Sequence, residues 1–316
     1  MLETIPRTED TVVKEKFVER YKSLLGNKYD EFIKYSFSYI RKTVRVNTLK
    51  IGVSNLKKQF SDDWNMLQVP WCKEGFWVDY KREKRFDIGN TPEHQLGYIY
   101  VQDAASMIPA VVLQPKPGEK ILDMCAAPGS KTTQIAQYMN NTGVVIANDP
   151  NSKRLAALGI NLSRCGVSNT VITHQQGTFY RKLEFDRVLV DAPCSATGTI
   201  RKSLKSLAMW SPGLVRKMVS IQKQLIEAGF LALKKGGVMV YSTCTLEPEE
   251  DEGMVSYLLN RHSNAQLQEI KLDINRSESI TSFEKVDFNP EVKKCLRIYP
   301  QDNNTEGFFI ARIKKL

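Results

Sequence analysis

The sequence predicts an α/β fold in which a doubly wound, mostly parallel sheet is preceded by a small α+β module. From about Tyr100 onward, short apolar strands alternate with amphipathic helices, the pattern of a parallel sheet that is covered on both faces. Before Asn90 the pattern differs, because helical spacing gives way to alternating and aromatic segments. We therefore expect an N-terminal module over residues 1–90 and a larger domain over residues 91–316.

The N-terminal module is predicted to begin with helices and to continue with strands. Residues 11–39 carry apolar side chains at helical spacing, with a break near Gly26. The segments TVRVNTLK (43–50) and GFWVDY (75–80) are β-branched or aromatic and are predicted to be strands. Between them, SNLKKQF (54–60) is predicted to form a helix.

The larger domain is predicted to repeat a strand, a turn and a helix. The predicted strands are EKILDM (119–124), GVVIAND (143–149), TVIT (170–173), RVLVD (187–191), GVMVYS (237–242) and FFIARI (308–313). Helices are predicted at 132–139, at 152–166 and near 215–233. Ligands of such sheets bind beyond the carboxyl ends of the strands, so we expect the functional residues in the loops after Met124, Ala147, Val190 and Tyr241.

The composition favours a globular protein with a polyanionic partner. The net charge of +10 and the pI of about 9.2 are typical of nucleic-acid binding, although a solvated basic face would give the same values. The longest apolar run, 108–113, is far shorter than the ~20 residues that span a bilayer, and the first residues resemble no signal peptide. We expect a cytoplasmic protein without membrane contact.

The six cysteines indicate free thiols. They form no CxxC pair and no regular framework, so neither a metal site nor structural disulfides are expected. Cys194 follows one predicted strand end and Cys244 follows the next, and parallel neighbouring strands would aim both into one cleft. A single cysteine is more often a small core residue, but this placement favours nucleophilic chemistry, with Asp191 available for proton transfer.

The first loop is predicted to hold a cofactor. Its residues are small and precede a helix, so the backbone can approach a ligand and present amide groups to an anion: Cys125, Ala126, Ala127, Pro128, Gly129, Ser130 and Lys131. Asp149 ends the second strand, where a carboxylate can accept hydrogen bonds from a ribose. A tight turn and a helix cap at Asp149 are the alternative interpretations.

These motifs together resemble the Sun-family RNA (cytosine-5) methyltransferases. The resemblance covers nearly the whole chain through TVRVNTLK, GYIYVQDAASM (97–107), LDMCAAPGSKT (122–132), the 149–154 turn, DAPCSATGTIRK (191–202), YSTCTLEPEE (241–250) and EGFFIARI (306–313). It implies a Rossmann-like methyltransferase domain, S-adenosylmethionine as cofactor and an N-terminal module that binds RNA. The DNA cytosine-5 methyltransferases are less similar, because in them the nucleophile lies in the proline-cysteine loop.

The resemblance also implies a role for each candidate residue. Cys244 would be the nucleophile, Cys194 would help to release product, Asp191 would hold the cytosine and Lys131 would lie near the reacting base. Residues 125–131 would surround the methionine part of the cofactor, with Asp149, Arg154, Gln176 and Asp191 completing its site. Two segments depart from the family pattern. After the third predicted strand, Gln175 and Gln176 stand where an acid is usual, and near the C-terminus Gln301 stands where a His is common.

For the RNA, the predicted contacts are Arg45, Asn47, Arg201 and Lys202, and we expect a tRNA substrate and a monomeric enzyme. The alternatives are methylation of rRNA and a non-catalytic RNA-binding assembly factor, against which the retained Cys244, Cys194 and Asp191 argue. A methyltransferase acting on amino groups is a third interpretation, but it would not need two cysteines.

Overall fold

The N-terminal part of the chain contains a four-stranded antiparallel sheet. The computed structural model describes residues 2–6, 8, 11–82 and 87–316. The strands of this sheet follow the order β2-β3-β1-β4. The elements up to the larger domain are α1 (Glu15–Leu25), α2 (Tyr29–Ser36), β1 (Thr43–Val46), α3 (Val53–Phe60), β2 (Trp64–Gln68), β3 (Gly75–Tyr80), α4 (Pro92–Gln95), β4 (Ile99–Val101) and α5 (Ile108–Leu113).

The first two helices pack against the larger domain, away from the N-terminal sheet. Phe17 of α1 contacts Trp210 edge-on at 5.1 Å between ring centroids, and Phe32 of α2 meets Tyr299 at 6.3 Å. Residues 1–90 therefore do not share one core. The sheet also continues to β4, so the predicted boundary at residue 90 falls before its last strand.

The larger domain is built on an eight-stranded sheet. Its strand order is β10-β14-β9-β8-β5-β6-β7, with β13 paired to β14. Strands β5 to β9 are parallel, whereas β14 runs antiparallel to β9. Its elements are β5 (Lys120–Asp123), α6 (Ser130–Tyr138), β6 (Val144–Asn148), α7 (Ser152–Cys165), β7 (Thr170–Thr173), β8 (Phe185–Asp191), α8 (Lys205–Met209), α9 (Pro212–Leu231), β9 (Leu233–Thr243), α10 (Glu252–Arg261), β10 (Ala265–Gln268), β11 (Ser282–Phe283), β12 (Val286–Asp287), β13 (Leu296–Ile298), α11 (Pro300–Asn303) and β14 (Phe308–Lys315).

Both faces of the central strands are buried. Val188 and Val190 of β8 face the core under α9, whereas Leu189 between them joins the core on the opposite face. Each fully buried aliphatic side chain contributes about 1.5–3 kcal/mol. This two-sided burial is why the strands are apolar at consecutive positions.

The fold predicted from the sequence is confirmed. The predicted strands at 119–124, 143–149, 170–173, 187–191, 237–242 and 308–313 all occur, with ends that coincide or differ by at most four residues. Strand β2 and the short strands between α10 and β14 were not predicted. Among the described residues, none of the helices combines the length and the apolar character needed to cross a bilayer.

Candidate active site

Two loops at the carboxyl ends of β8 and β9 bring the predicted cysteines into contact. The proline-cysteine loop (residues 191–198) and the threonine-cysteine loop (residues 242–252) start side by side, because Asp191 pairs with Ser242 in the sheet. The Sγ atoms of Cys194 and Cys244 are 3.3 Å apart. This exceeds the ~2.05 Å of a disulfide bond, so the two thiols are free and within hydrogen-bonding reach.

The contact with Cys244 changes the proton affinity of Cys194. The hydrogen bond that Cys194 shares with Cys244, and then burial, raise the pKa of the Cys194 thiol well above its usual value. Cys194 therefore retains its proton at neutral pH and can donate an S–H hydrogen bond to Cys244. The two thiols can therefore play different chemical roles.

Hydroxyl and amide groups join the two loops. The hydroxyl of Thr245 lies 2.7 Å from that of Ser195 and 3.0 Å from that of Thr197. The amide of Gly198 donates to the carbonyl oxygen of Cys244 over 3.0 Å. A Cβ atom at Gly198 would lie only 2.9 Å from that oxygen, so the close approach of the loops requires glycine.

Lys131 and Asp191 form an ion pair next to Cys244. The Lys131 Nζ atom is 2.8 Å from Asp191 Oδ2 and donates to Ser106 Oγ over 3.1 Å. The hydroxyl of Ser242 donates to the other Asp191 oxygen over 2.8 Å. Burial lowers the pKa of Lys131, but the Asp191 carboxylate outweighs it and the net pKa is raised. Lys131 therefore stays charged, and Asp191 has a fixed orientation.

A cavity of about 650 Å³ opens beside these residues. It is large enough for a nucleoside-sized cofactor and a base. Of the predicted site residues, its wall includes Cys125, Ala126, Ala127, Pro128, Ser130, Lys131, Arg154, Asp191, Lys202 and Cys244. The fold thus brings the predicted cofactor loop and the predicted nucleophile to one space.

The predicted cofactor loop (residues 125–131) packs closely against α7 at Gly129. Gly129 has φ of +107°, and a Cβ atom there would lie 3.0 Å from Leu158 Cδ1, so glycine is required. Asp123, which sequence reasoning did not single out, also lines the cavity. Its Oδ2 accepts from Thr132 over 2.7 Å, and its Oδ1 has no hydrogen-bond partner among the described residues. Burial raises the pKa of Asp123 to about 7.

Asp149 binds residues that follow it closely in the sequence. Its buried carboxylate accepts from the Asn151 amide over 3.0 Å and pairs with Arg154 Nη1 at 3.0 Å. Arg154 also donates to the carbonyl oxygen of Ala127, and therefore links Asp149 to the cofactor loop. The N-cap of α7 is Asn151, whose side chain accepts from the Lys153 amide, so Asp149 stabilises the turn before the helix and does not cap it.

The two departures from the family pattern lie in different surroundings. The side chain of Gln176 is exposed beside the end of β7. The amide group of Gln301, in α11, is enclosed and makes no hydrogen bond within the described part of the chain.

Three of the four predicted RNA contacts are corrected by the structure. Arg45 is fully buried, and its guanidinium donates to the carbonyl oxygen of Ser130 over 2.8 Å. Asn47 is buried and donates to two backbone carbonyl oxygens. Arg201 is buried and donates to the carbonyl oxygens of Tyr39 and Thr305. All three side chains are buried and most of their donors bind groups inside the protein, so these residues stabilise the fold.

Lys202 is the predicted RNA contact that remains exposed. Its side chain lies at the cavity, 3.4 Å from the carboxylate of Glu306. Glu306 and Asp103 were missed by sequence reasoning because neither stands in a cysteine loop. Burial and then the nearby Glu306 raise the pKa of Asp103 to about 7.

Comparison with known families gives a consistent result. Residues 110–314 match the family described as 16S rRNA methyltransferase RsmB/F, and residues 13–104 match the N-terminal domain of 16S rRNA methyltransferase RsmF.

Individual relatives include tRNA and rRNA enzymes. A tRNA (cytosine(49)-C(5))-methyltransferase of Pyrococcus abyssi is 45% identical over 308 residues, 96% of each chain. The ribosomal RNA small subunit methyltransferase F of Vibrio vulnificus is 42% identical over 96% of this chain, which spans 64% of that relative's length.

Solved structures share the whole fold. A methyltransferase homolog protein from Pyrococcus horikoshii superposes with a TM-score of 0.87 at 37% identity, over 98% of both chains. NSun6 from Pyrococcus horikoshii gives a TM-score of 0.84 at 25% identity, over 96% of this chain and 98% of that one.

Proposed function

The chain belongs to the RNA (cytosine-5) methyltransferases of the RsmB/F family, and on that premise we propose that it methylates a cytosine of tRNA through a covalent bond to Cys244. The observation that carries the proposal is the contact of Cys194 with Cys244 at 3.3 Å, beside the Lys131–Asp191 ion pair and the cavity. Carbon 5 of cytosine is a weak nucleophile, so the reaction needs a group that adds to carbon 6 first.

The cavity residues fit S-adenosylmethionine. The small side chains of 125–129 leave room for its methionine part, and the unpartnered oxygen of Asp123 can accept from its ammonium group. Arg154 lines the cavity and pairs with Asp149, and we assign the Asp149 carboxylate as the acceptor for the ribose hydroxyls. When bound, the cofactor supplies a methyl group activated by a sulfonium.

In the first step, the Cys244 thiolate adds to carbon 6 of the cytosine. Asp191, held by Lys131 and Ser242, accepts hydrogen bonds from the cytosine edge and supports protonation at nitrogen 3. The addition turns carbon 5 into an enamine-like carbon that takes up the methyl group. A fixed Asp191 would orient the base without rearranging in the transition state.

In the second step, a water molecule accepts the carbon 5 proton, the double bond between carbons 5 and 6 re-forms, and the bond from carbon 6 to Cys244 breaks with its electron pair leaving on the Cys244 sulfur. Cys194 is our candidate for assisting this elimination, because it keeps its proton next to the departing sulfur. Its S–H group can stabilise the Cys244 thiolate as that thiolate is released.

The RNA must present an unstacked base to this cavity. Unstacking costs a few kcal/mol and is least costly in loops and junctions. Lys202 lies at the cavity and is exposed, so we assign it a phosphate contact. Arg41 and Lys42, which precede β1, also line the cavity and are further candidates.

Sequence identity favours tRNA as the substrate. The chain is 45% identical to the relative named for cytosine 49 of tRNA and 42% identical to a relative named for ribosomal RNA. The test is to incubate the protein and S-adenosylmethionine with tRNA transcripts and with 16S rRNA fragments, and then to sequence both after bisulfite treatment. Methylation of tRNA, examined first at position 49, supports the proposal. Methylation confined to the rRNA fragments would assign the other substrate.

A further inference from the structure

Glu250 is a buried carboxylate behind the proline-cysteine loop. Its side chain is fully buried, and its Oε2 atom accepts from the Ser195 amide over 3.0 Å and from Gln222 Nε2 over 2.8 Å. The same Gln222 nitrogen donates to the carbonyl oxygen of Pro193 over 2.9 Å. The residues immediately before and after Cys194 are therefore both held by the Glu250–Gln222 pair.

Glu250 also belongs to the loop that carries Cys244. Its amide donates to the carbonyl oxygen of Glu247 over 3.0 Å, and its own carbonyl oxygen accepts from the Tyr241 hydroxyl over 2.7 Å. These bonds fix the backbone of Glu250 relative to β9. Glu250 therefore adds to the hydrogen bonds that join the two cysteine loops and is the member that acts on both sides of Cys194.

A charged carboxylate at this buried position lowers the stability of the folded protein. Within the described part of the chain, the titratable groups that interact electrostatically with Glu250 are Cys194, Tyr241, Glu247 and Asp251, and none of them is a cation. Burial raises the pKa of Glu250 to about 7, and its Oε1 atom has no hydrogen-bond partner among the described residues. A buried acid without a neutralising partner destabilises the fold unless its hydrogen bonds compensate.

We propose that Glu250 is a positioning residue, which keeps the Cys194 thiol against Cys244 and thereby serves the release of methylated RNA. This inference rests on the proposed function, in which Cys194 assists elimination. Loss of the carboxylate would break the bond between Glu250 and the Ser195 amide of the proline-cysteine loop and would leave Gln222 without one of its acceptors. Cys194 would then move away from Cys244. Cys244 itself, which directly follows β9, would remain able to add to carbon 6.

The test compares three variants in single-turnover reactions with labelled S-adenosylmethionine. Glu250→Ala should keep methyl transfer within about 3-fold of the wild type but accumulate at least 10-fold more protein–RNA adduct in denaturing gels. Glu250→Gln should restore release, because the amide oxygen can accept from both Ser195 and Gln222. Glu249→Gln is the matched control: it changes the neighbouring acid, which binds Arg20 instead, and should resemble the wild type.

Gln222→Leu provides an independent variant if Glu250→Ala does not fold. It removes the bond to Pro193 at similar volume and should also accumulate adduct. Wild-type release in both Glu250→Ala and Gln222→Leu, with adduct still trapped by Cys194→Ala, would overturn the inference and leave the proposed function intact. If Cys194→Ala traps no adduct and Cys244→Ala still methylates RNA, the proposed function itself fails.

Discussion

The Lys131 ammonium lies 2.8 Å from the Asp191 carboxylate, at the end of β8 where the cavity begins. A second lysine–aspartate pair, Lys234 with Asp186 at 2.9 Å, lies at the other end of the same strand. The two pairs share their chemistry, but only the first adjoins Cys244. Substitutions in the two pairs can therefore be compared to separate an effect on catalysis from an effect on stability.

Asp191→Asn should slow methyl transfer by about 10²–10⁴-fold, because the cytosine loses its oriented carboxylate. The rate is measured in single turnovers at saturating RNA and cofactor. Asp186→Asn removes the same charge at the opposite edge of the sheet and should stay within about 3-fold of the wild type. Equal losses in the two variants would show that the Lys131–Asp191 pair acts through stability alone.

Asp149→Ala should weaken S-adenosylmethionine binding by about 1.5–3 kcal/mol, the usual value of a hydrogen bond to a charged acceptor. Calorimetry gives the affinity directly. Asn151→Ala is the control, because Asn151 caps α7 through the Lys153 amide without contacting the cofactor loop. If both variants lower the melting temperature and neither changes the affinity, Asp149 only stabilises the turn before α7.

Lys202→Ala should reduce the salt dependence of RNA binding by about one slope unit, as expected for one lost phosphate contact. Lys235→Ala changes the same charge at the amino end of β9 and should leave the slope unchanged. Arg201→Ala should mainly lower the melting temperature, because its donors hold backbone carbonyls. An identical slope for Lys202→Ala and the wild type would remove Lys202 from the RNA interface.

Asp103→Asn should flatten the dependence of stability on pH. The folded-state pKa of Asp103, about 7, lies above its ordinary unfolded value, so the folded protein binds more protons. Stability should therefore fall as the pH rises from about 4 through 7, and part of this slope should vanish in the variant. Thermal melting at pH 5, 6, 7 and 8 measures it. If the stability of the variant depends on pH as strongly as that of the wild type, a group other than Asp103 causes the dependence.

The sequence was a good guide to the sheet and to the cysteine pair. Cys194 and Cys244 each follow a predicted strand end, and parallel neighbours place such ends together, so the sequence alone predicts that the two thiols lie close together. Buried arginines could not be foreseen in the same way. Arg45 and Arg201 look like basic surface in a +10 chain, and only tertiary hydrogen bonds to Ser130 and Tyr39 show otherwise.

Residues that act from distant segments also escaped sequence reasoning. Asp103 and Glu306 are about 200 positions apart, and they meet because the turn before β14 closes on the loop after β4. Glu250 stands within an acidic run that is typical of a solvated turn, yet it is buried. Burial of a charged residue depends on the packing of several elements, which local sequence patterns do not encode.

The most direct test of the mechanism compares Cys244→Ala with Cys194→Ala in one denaturing-gel experiment on RNA and labelled S-adenosylmethionine. Cys244→Ala should bind the cofactor but form neither methylated RNA nor adduct, since the attacking thiol is absent. Cys194→Ala should methylate once and remain attached to the RNA as a slowly migrating band, which the double substitution should abolish. The opposite pattern, with normal turnover by Cys194→Ala and RNA trapped by Cys244→Ala, would contradict the account and place the nucleophile in the proline-cysteine loop.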